Sequence, residues 1–374
     1  MKILYHHPHP ILSSALSGSG VRPYAMLNAF RDLGHDVLEV TGYSKERLGK
    51  LRAIIEDGSL SLCDICYAEN STEPLGLTDS HHLPLRAYLE PSLFSMLTRL
   101  GIPLGVFYRD FHWLFPLYNH MASPLKRAVA KVFYRRELQL YRRYASVVYV
   151  PTIEMKKYLP QLEHCRMIPL PPGCPTHSHW EKVPSKGGRV RALYVGGILP
   201  PYELSPMADV FNACDSLDLT LVCREREISL STLIPRLDHS KRLRIVHAFG
   251  DQLPELYAHS DIFLWLRGDC EYLDLAFPIK IAEAISYGLP ILTMGKNPIS
   301  KFVQENKIGW VVSSVDEAKE VVSAINTGRI DISETAERVI QIAQKNAWKD
   351  RAAQVIEDLC DVNRSRGGIE NQSQ

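Results

Sequence analysis

The sequence predicts an α/β protein with two parallel sheets, and three observations carry that prediction. Short apolar strands alternate with helical patterns along most of the chain, which is typical of βαβ units. This alternation stops once, between positions 170 and 189, in a stretch rich in proline, glycine and serine, and then begins again. At 374 residues the chain is also long enough to form two hydrophobic cores.

The strands are predicted from short apolar runs that are bounded by turn residues or by helical patterns. The first strand, KILYHH, leads through a small-residue loop into a helix that ends at Gly34. An amphipathic stretch from Ser333 to Cys360 is predicted to be the last helix. Five strands are predicted in the first half and six in the second, at 2–7, 35–42, 64–70, 102–110, 145–152, 189–197, 217–225, 243–250, 261–268, 290–294 and 309–314.

The linker divides the chain into a first domain over residues 1–175 and a second over 186–345. Residues 363–374 contain only one large apolar side chain, Ile369, so we expect a disordered tail there. The boundaries follow from composition and from the two series of strands.

Composition disfavours several classes of protein. The net charge of +1 gives no overall attraction to nucleic acid, and no apolar run approaches the roughly 20 residues that span a bilayer. The eight cysteines are scattered and no secretory signal opens the chain, which predicts reduced thiols and a cytoplasmic location. His6, His7 and His9 are interrupted by prolines and have no carboxylate beside them, so we predict no metal site.

The segment LDLAFPIKIAEAISYGLPILTM, residues 273–294, contains the main candidate for a ligand site. Pro278 suits the first turn of a helix, whose free N–H groups attract anions. Lys280 adds a positive charge, and Glu283 shares its helix face. A diphosphate needs cations and donors, and a ribose needs a carboxylate acceptor, so one helix end can hold both. The alternative is a solvated salt bridge between residues i and i+3.

Residues 246–294 resemble the C-terminal domain of GT-B glycosyltransferases of the family 4 type. The resemblance is carried by LPELYAHSD, by the GLP that closes the next helix, and by a Pro-x-Lys-x-x-Glu pattern at Pro278, Lys280 and Glu283. It implies two Rossmann-like domains that face each other across a cleft, with a C-terminal helix, 346–362, returning to the first domain. It also implies that Glu283 binds the donor ribose and Lys280 the donor phosphates.

Further donor-binding candidates lie at strand ends and before the first helix. Gly197, in ALYVGGIL, resembles the glycine turn of the family's donor domain, but the usual basic residues after that turn are absent. Arg224 or Arg267 is predicted to supply the missing charge, unless each is a solvated or structural residue. A glycine-serine loop can approach phosphate closely, unless it is a plain flexible connection. The predicted donor-binding residues are Lys280, Glu283, Pro278, Ile279, Gly197, Arg224, Arg267, Gly18, Ser19 and Gly20.

The catalytic candidates lie in GVFYRDFHWLFPLYNH, which places Arg109, Asp110 and His112 beyond the end of a strand. If the transfer inverts the anomeric centre, Asp110 is the first candidate for the general base and His112 the second. If it retains configuration, the three side chains position donor and acceptor. The alternatives are a helix cap or an Arg109 ion pair for Asp110, and a packed, hydrogen-bonded ring for His112.

Residues 123–144 are predicted to form a basic amphipathic helix. Such helices bind anionic membrane surfaces, although an apolar stripe that packs on its own domain would produce the same pattern. The basic side comprises Arg127, Lys131, Arg135 and Arg142, and the apolar side comprises Leu125, Val129, Val132, Phe133 and Leu140.

Together these features predict a metal-independent glycosyltransferase of hexosyl type that needs no cofactor. Its donor would be a UDP or GDP sugar, and its acceptor a lipid-linked or surface-polysaccharide hydroxyl at the inner membrane face. A nucleotide-sugar epimerase of the same fold and a non-enzymatic nucleotide-sugar-binding protein are the alternatives. A dehydrogenase is disfavoured because no GxGxxG motif with a downstream acid is present.

Overall fold

The computed structural model describes residues 1–13, 18–177, 181–183 and 188–370. The chain forms two compact units, one of residues 1–172 with 348–374 and one of residues 173–347. Each unit contains a six-stranded sheet in which all neighbouring strands are parallel. The predicted α/β class with two Rossmann-like units is therefore confirmed.

Helices and short 3-10 turns connect the strands of both units. In chain order the strands are β1 (Lys2–His7), β2 (Asp36–Thr41), β3 (Ile65–Glu69), β4 (Leu104–Phe107), β5 (Val147–Val150), β6 (Met167–Pro169), β7 (Val190–Val195), β8 (Leu217–Val222), β9 (Leu243–Val246), β10 (Ile262–Trp265), β11 (Ile291–Met294) and β12 (Gly309–Val312). The helices are α1 (Gly18–Asp32), α2 (Ser44–Glu56), α3 (Leu89–Arg99), α4 (Pro124–Tyr144), α5 (Ser205–Ala213), α6 (Glu225–Ile228), α7 (Leu253–Ala258), α8 (Ile279–Ser286), α9 (Pro298–Asn306), α10 (Val315–Asn326), α11 (Ile332–Gln344) and α12 (Trp348–Glu370).

The sheet of the first unit has the order β2-β1-β3-β4-β5-β6. Its central strands are buried along their whole length, because helices cover both faces of a parallel sheet. Helix α12, from the far end of the sequence, contributes Ala352, Val355 and Leu359 to the core, where they cluster with Tyr5 and Phe30. The first unit is therefore built from two separate parts of the chain.

The sheet of the second unit has the order β12-β11-β10-β7-β8-β9. Leu193 of β7, Leu264 of β10 and Leu292 of β11 are fully buried in its core, together with Ile285 of α8. The apolar face of α8 therefore fixes this helix on the sheet, which determines where its polar first turn lies.

Both sheets contain a topological switch point, where the order of the strands reverses. It lies between β1 and β3 in the first unit and between β7 and β10 in the second. Open parallel sheets bind ligands beyond the carboxyl ends of the strands at such a point. A ligand site is therefore expected beyond the carboxyl ends of the strands in each sheet, which are called the first and second sheet edges.

The structure differs from the predicted elements at several places. Strand β6 was not predicted, because it has only three residues and ends in Pro169, which an edge strand tolerates. The stretch 333–360 forms two helices rather than one. The helix is interrupted at residues 345–347, where the backbone of Ala347 forms a β-bridge with Cys174. The predicted glycine-serine loop is also wrong in part, because Gly18, Ser19 and Gly20 begin α1, while residues 14–17 lie outside the described residues.

The C-terminal segment also differs from the prediction. Helix α12 continues to Glu370, so the predicted disordered tail 363–374 is helical through most of its length, and residues 371–374 lie outside the described residues. Within the described part of the chain, no helix combines the length and apolar character that a bilayer span requires.

Candidate functional site

The Lys280–Glu283 pair lies at the start of α8, on the carboxyl edge of the second sheet. Lys280 Nζ lies 2.9 Å from Oε1 and 2.6 Å from Oε2 of Glu283, so the salt bridge that the spacing allows is formed. Pro278 is the cap residue before the helix rather than part of its first turn, and Ile279 begins the helix. The first turn of α8 contains no acidic residue, which leaves its positive dipole end available to an anion.

A stack of three rings supports the Glu283 carboxylate. The Tyr257 hydroxyl donates to Glu283 Oε2 over 3.1 Å, and the ring of Tyr257 stacks on Tyr287 with centroids 4.6 Å apart. His177 stacks on the other side of Tyr287 at 4.0 Å, and its Nε2 lies 2.8 Å from Ser286 Oγ. Glu283 is therefore held by Lys280 and by the hydroxyl of Tyr257, whose own ring is fixed by stacking on Tyr287.

The protonation state of this stack follows from its surroundings. Burial, reinforced by the Glu283 carboxylate, raises the pKa of Tyr257 well above its usual value. The same two causes raise the pKa of Tyr287 to about 12. The Tyr257 hydroxyl therefore keeps its proton at neutral pH and remains a donor to Glu283.

Strand register places Gly197, Arg224 and Arg267 at one level of the sheet edge. Val195 of β7 pairs with Val222 of β8, so two residues further along the chain reach Gly197 and Arg224. Ile262 of β10 pairs with Ala192, so five residues further along reach Arg267 and Gly197. The glycine turn is thus flanked by arginines that follow the two neighbouring strands.

The two arginines have different environments. Arg267 is buried, pairs with Asp274 over 2.5 Å and donates to the carbonyl of Gly268, while its Nε is buried without an acceptor. Arg224 is largely exposed and donates from Nη1 to Glu227 over 2.9 Å. Both keep donor capacity at the edge beside the glycine turn.

Glu227 also fixes the glycine turn itself. Its Oε2 accepts the backbone N–H of Ile198 over 3.0 Å, and the Tyr194 hydroxyl donates to the carbonyl of Gly197 over 2.7 Å. A side chain at position 197 would meet the ring of Tyr202 at 3.0 Å, so the close packing here favours glycine. The second sheet edge therefore combines a rigid turn with three cationic side chains, each paired with a carboxylate, and the N-terminus of α8, and such an arrangement of donors and acceptors suits a ribose-diphosphate.

In the first unit, Arg109, Asp110 and His112 follow β4 as predicted, but they do not form one cluster. Asp110 Oδ1 accepts the backbone N–H of His112 over 2.9 Å, just before a short 3-10 turn, His112–Leu114. His112 is buried, with its Nδ1 3.4 Å from Asp110 Oδ2 and its ring edge-on to Tyr118 and Tyr134. Its burial favours the packed interpretation, and Asp110 is the more accessible of the two.

Arg109 makes its ion pair with Glu69 rather than with Asp110. Arg109 Nη2 lies 3.6 Å from Oε2 of Glu69, a fully buried carboxylate at the end of β3. Its backbone N–H donates to Asn70, whose side chain in turn donates to Glu137. The Arg109–Asp110 ion pair considered from sequence is therefore not the one that the structure shows.

The polar partners Glu69, Glu137, Glu227 and Tyr257 were missed from sequence. Glu69 and Tyr257 each gave a signal, since one is an acid that ends an apolar strand and the other lies in the LPELYAHSD motif. Among the described residues, no group of three metal-ligating side chains is close enough to hold a metal ion.

Comparison with known proteins is consistent with this geometry. Residues 266–349 match the C-terminal domain of the glucosyltransferase 3-like family. No curated relative matches the chain by sequence.

Three solved structures match nearly the whole chain. Anabaena HepE in complex with UDP is 15% identical with a TM-score of 0.62, over 96% of this chain and 100% of that one. Sucrose-phosphate synthase from Thermosynechococcus elongatus is 12% identical with a TM-score of 0.64, over 98% and 100%. WaaG, a glycosyltransferase involved in lipopolysaccharide biosynthesis, is 14% identical with a TM-score of 0.57, over 94% and 98%. The chain therefore has the GT-B fold of these glycosyltransferase structures, and its residues 266–349 are similar to the glucosyltransferase 3-like C-terminal domain.

Proposed function

We propose that this protein transfers a hexosyl group from a nucleotide diphosphate sugar to an acceptor hydroxyl. The observation that carries the proposal is the N-terminal half of α8, where Lys280 of the first turn contacts the oriented carboxylate of Glu283 from the next turn. In this assignment Lys280 binds the diphosphate and Glu283 accepts hydrogen bonds from the ribose hydroxyls. The Tyr257 hydroxyl keeps the carboxylate in place.

In this assignment the carboxyl edge of the second sheet stabilises the leaving diphosphate electrostatically. Charge builds up on the diphosphate as the bond to the sugar breaks, and preorganised donors lower the energy of that state. Lys280, the helix N-terminus, Arg267 and Arg224 supply such donors at one sheet edge. Because these donors lie where the charge of the leaving diphosphate builds up, we infer that the transfer needs no metal ion.

In this proposal the base of the donor nucleotide is uracil. HepE, whose fold matches over 96% of this chain, was crystallised with UDP and with UDP-glucose. The acceptor would bind at the first sheet edge, where Asp110 is the candidate base if the anomeric centre is inverted. Arg109 would then position the acceptor through its charge.

Helix α4 supports a location of the enzyme at a membrane surface. Leu125, Val129 and Val132 occupy one helix face and are 77%, 44% and 52% exposed. Phe133 and Leu140, the other members of the predicted apolar side, are partly buried, and the Phe133 ring packs beside Gly76. The face that does pack contains Tyr134, Leu138 and Tyr141. Exposed apolar residues with lysines and arginines around them suit an anionic lipid surface and a lipid-linked or surface-polysaccharide acceptor.

Ligand binding by the full-length protein tests the donor assignment. Calorimetric titration with UDP, UDP-glucose and GDP-mannose should show binding of a uridine nucleotide, and Lys280→Ala should weaken it about tenfold or more. Lys301→Ala, an exposed lysine of the same unit, is the matched control and should bind like wild type. Equal UDP affinity in wild type and Lys280→Ala would overturn the assignment.

Product analysis separates the transferase from its alternatives. A transferase releases UDP in proportion to a membrane-lipid acceptor extract, whereas an epimerase converts the sugar nucleotide without an acceptor. A non-enzymatic binding protein would bind UDP-glucose with no turnover in either assay. Conversion of the sugar nucleotide without an acceptor would identify an epimerase, and binding without turnover would identify a binding protein. Either result would overturn the transferase proposal.

A further inference from the structure

Arg22 of α1 is a buried arginine that lies at the edge of the first sheet. Its Nε donates to Glu69 Oε1 over 3.2 Å, and its guanidinium carbon lies 3.5 Å from the centre of the Phe107 ring. The Tyr67 hydroxyl also donates to Glu69 Oε1, over 2.8 Å. These contacts fix the plane of the guanidinium and hold one of its nitrogens.

The other two nitrogens of Arg22, Nη1 and Nη2, are buried without an acceptor at hydrogen-bonding distance. Buried donors that lack a partner are costly, and each such case needs an explanation. Together Nη1 and Nη2 form a planar pair of donors, the geometry that grips a carboxylate or phosphate with two parallel hydrogen bonds.

Arg109 adds a second cation with free donors beside the first. Its Nε and Nη2 are buried without a hydrogen-bond acceptor, and the nearest carboxylate oxygen, Glu69 Oε2, lies 3.6 Å from Nη2. Glu69 is thus one carboxylate between two arginines, so the cluster carries an excess positive charge.

The histidines around this cluster respond to that excess. Burial and then the charge of Arg109 lower the pKa of His7 well below its usual value, so His7 is neutral at pH 7. Burial lowers the pKa of His9 to about 4, with Arg47 and Arg109 acting in the same direction. Both histidines are therefore neutral at pH 7, so the excess charge of the cluster comes from the two arginines.

Another buried arginine of the same unit shows what a purely structural role looks like. Arg47 places Nε and Nη2 on Glu90, at 3.1 and 2.9 Å, and Nη1 on the carbonyls of Pro8 and Gly42. All three of its nitrogens are therefore satisfied. Arg47 is at least as deeply buried as Arg22 and Arg109, yet all of its donors have acceptors. Burial alone therefore does not explain why donors of Arg22 and Arg109 lack them.

The cluster also lies where an open sheet binds ligands. Glu69 ends β3, His7 ends the neighbouring β1, and Arg109 follows β4, so the group spans the switch point on its carboxyl side. Arg109 is the most exposed of the charged residues of the cluster, with 12% of its side chain accessible against 5% for Arg22 and 0% for Glu69.

We propose that Arg22 and Arg109 bind an oxyanion, a phosphate or carboxylate group, in the first unit. If the protein is the glycosyltransferase proposed above, this oxyanion belongs to the acceptor, which is therefore an anionic molecule. Arg22 supplies the two-pronged contact and Arg109 the neighbouring charge, while Glu69 holds both guanidinium groups in place.

Titration of the full-length protein with inorganic phosphate and with acetate tests this proposal at constant ionic strength. Saturating UDP is present, so that the second sheet edge is occupied. Arg22→Lys and Arg109→Lys keep the charge but lose the planar donor pair, and each should weaken binding of the preferred anion about tenfold or more. Arg31→Lys, on the exposed side of α1, is the matched control and should bind like wild type.

Wild-type crystals soaked in selenate provide a measurement that does not depend on the folding of a variant. An anomalous peak within hydrogen-bonding distance of Arg22 and Arg109 supports the site, and its absence there overturns it. Glucose 6-phosphate and short-chain phosphatidic acid then distinguish a soluble sugar phosphate from a lipid headgroup. UDP affinity that is unchanged in Arg22→Lys keeps this result separate from the donor assignment, which depends on Lys280.

Discussion

The hydroxyl of Tyr257 lies 3.1 Å from Oε2 of Glu283, across a gap of 26 residues in the chain. Tyr257 is on α7 and Glu283 on α8, so the bond ties together the helices before and after β10. Together with Lys280, whose Nζ contacts both oxygens, this bond fixes the direction of the Glu283 carboxylate.

Tyr257→Phe should weaken donor binding by removing this bond. We expect KM for the UDP sugar to rise about threefold to tenfold with little change in kcat, because the ribose contact is made in the ground state and in the transition state alike. Steady-state kinetics at saturating acceptor measures both. Tyr24→Phe in the other unit is the control, and a fall in kcat at constant KM would contradict the positioning role.

Glu137 is predicted to make stability depend on pH. It is fully buried on α4 and accepts from Asn70, Tyr141 and the backbone of Leu75, yet burial raises its pKa to about 7. Between pH 4.5 and 7 the folded protein holds a proton that the unfolded chain has lost. The free energy of unfolding therefore falls as pH rises through this window, and the cost is fully present above pH 7.

Glu137→Gln should remove this contribution. The stability of wild type relative to Glu137→Gln should fall as the pH is raised from 5 to 7 and then level off, as measured by urea denaturation. His7 and His9 act in the opposite direction but are common to both proteins, so the difference isolates Glu137. Glu56→Gln, on the exposed side of α2, should give a curve parallel to that of wild type. A parallel curve for Glu137→Gln would show that Glu137 does not titrate in this window.

The exposed stripe of α4 should control binding to lipid vesicles. Leu125→Ser with Val129→Ser removes two exposed apolar side chains, so the fold should be retained while binding to phosphatidylglycerol vesicles falls several-fold. Co-sedimentation with these vesicles measures the change, and neutral phosphatidylcholine vesicles should bind weakly in all cases. The exposed Leu62→Ser is the control on another face, and equal lipid binding in both variants would rule out a role for α4.

Removal of divalent metal should leave sugar transfer unaffected. In the proposed donor site, Lys280, Arg267 and the N-terminus of α8 would supply the positive charge that a metal ion supplies in other enzymes. Activity after dialysis against EDTA should stay within about twofold of the value with added magnesium or manganese. Activity that disappears with EDTA and returns with one of these ions would show that the leaving diphosphate needs a metal.

The fold was predictable because buried parallel strands are continuous apolar runs of a length that helices rarely have. Val147–Val150 is an example, since all four residues are buried in the sheet. The exception, β6, is short and ends in a proline, so no apolar run marks it. The Lys280–Glu283 contact was predictable for a related reason, because partners three residues apart on a helix meet through local geometry alone.

The remaining contacts of both sheet edges depend on the tertiary structure. Arg22 meets Glu69 across 47 residues, and nothing in either local sequence selects the partner. Arg109 is the clearest case, since its neighbour Asp110 is an obvious partner in sequence, but the end of β3 places Glu69 closer to the guanidinium. Long polar side chains reach several partners, and only the packed sheet decides among them.

The return of α12 to the first unit has a consequence for how the protein is made on the ribosome. Residues 173–347 are contiguous, so the second unit can close its core while the chain is still being synthesised. The first unit begins earlier but must wait for Ala352, Val355 and Leu359, whose fully buried side chains fill its centre. During synthesis one apolar face of the N-terminal sheet, which α1 covers in part, therefore stays incompletely covered until residues 348–359 have been made, and exposed apolar surface of this kind makes a nascent chain prone to aggregation.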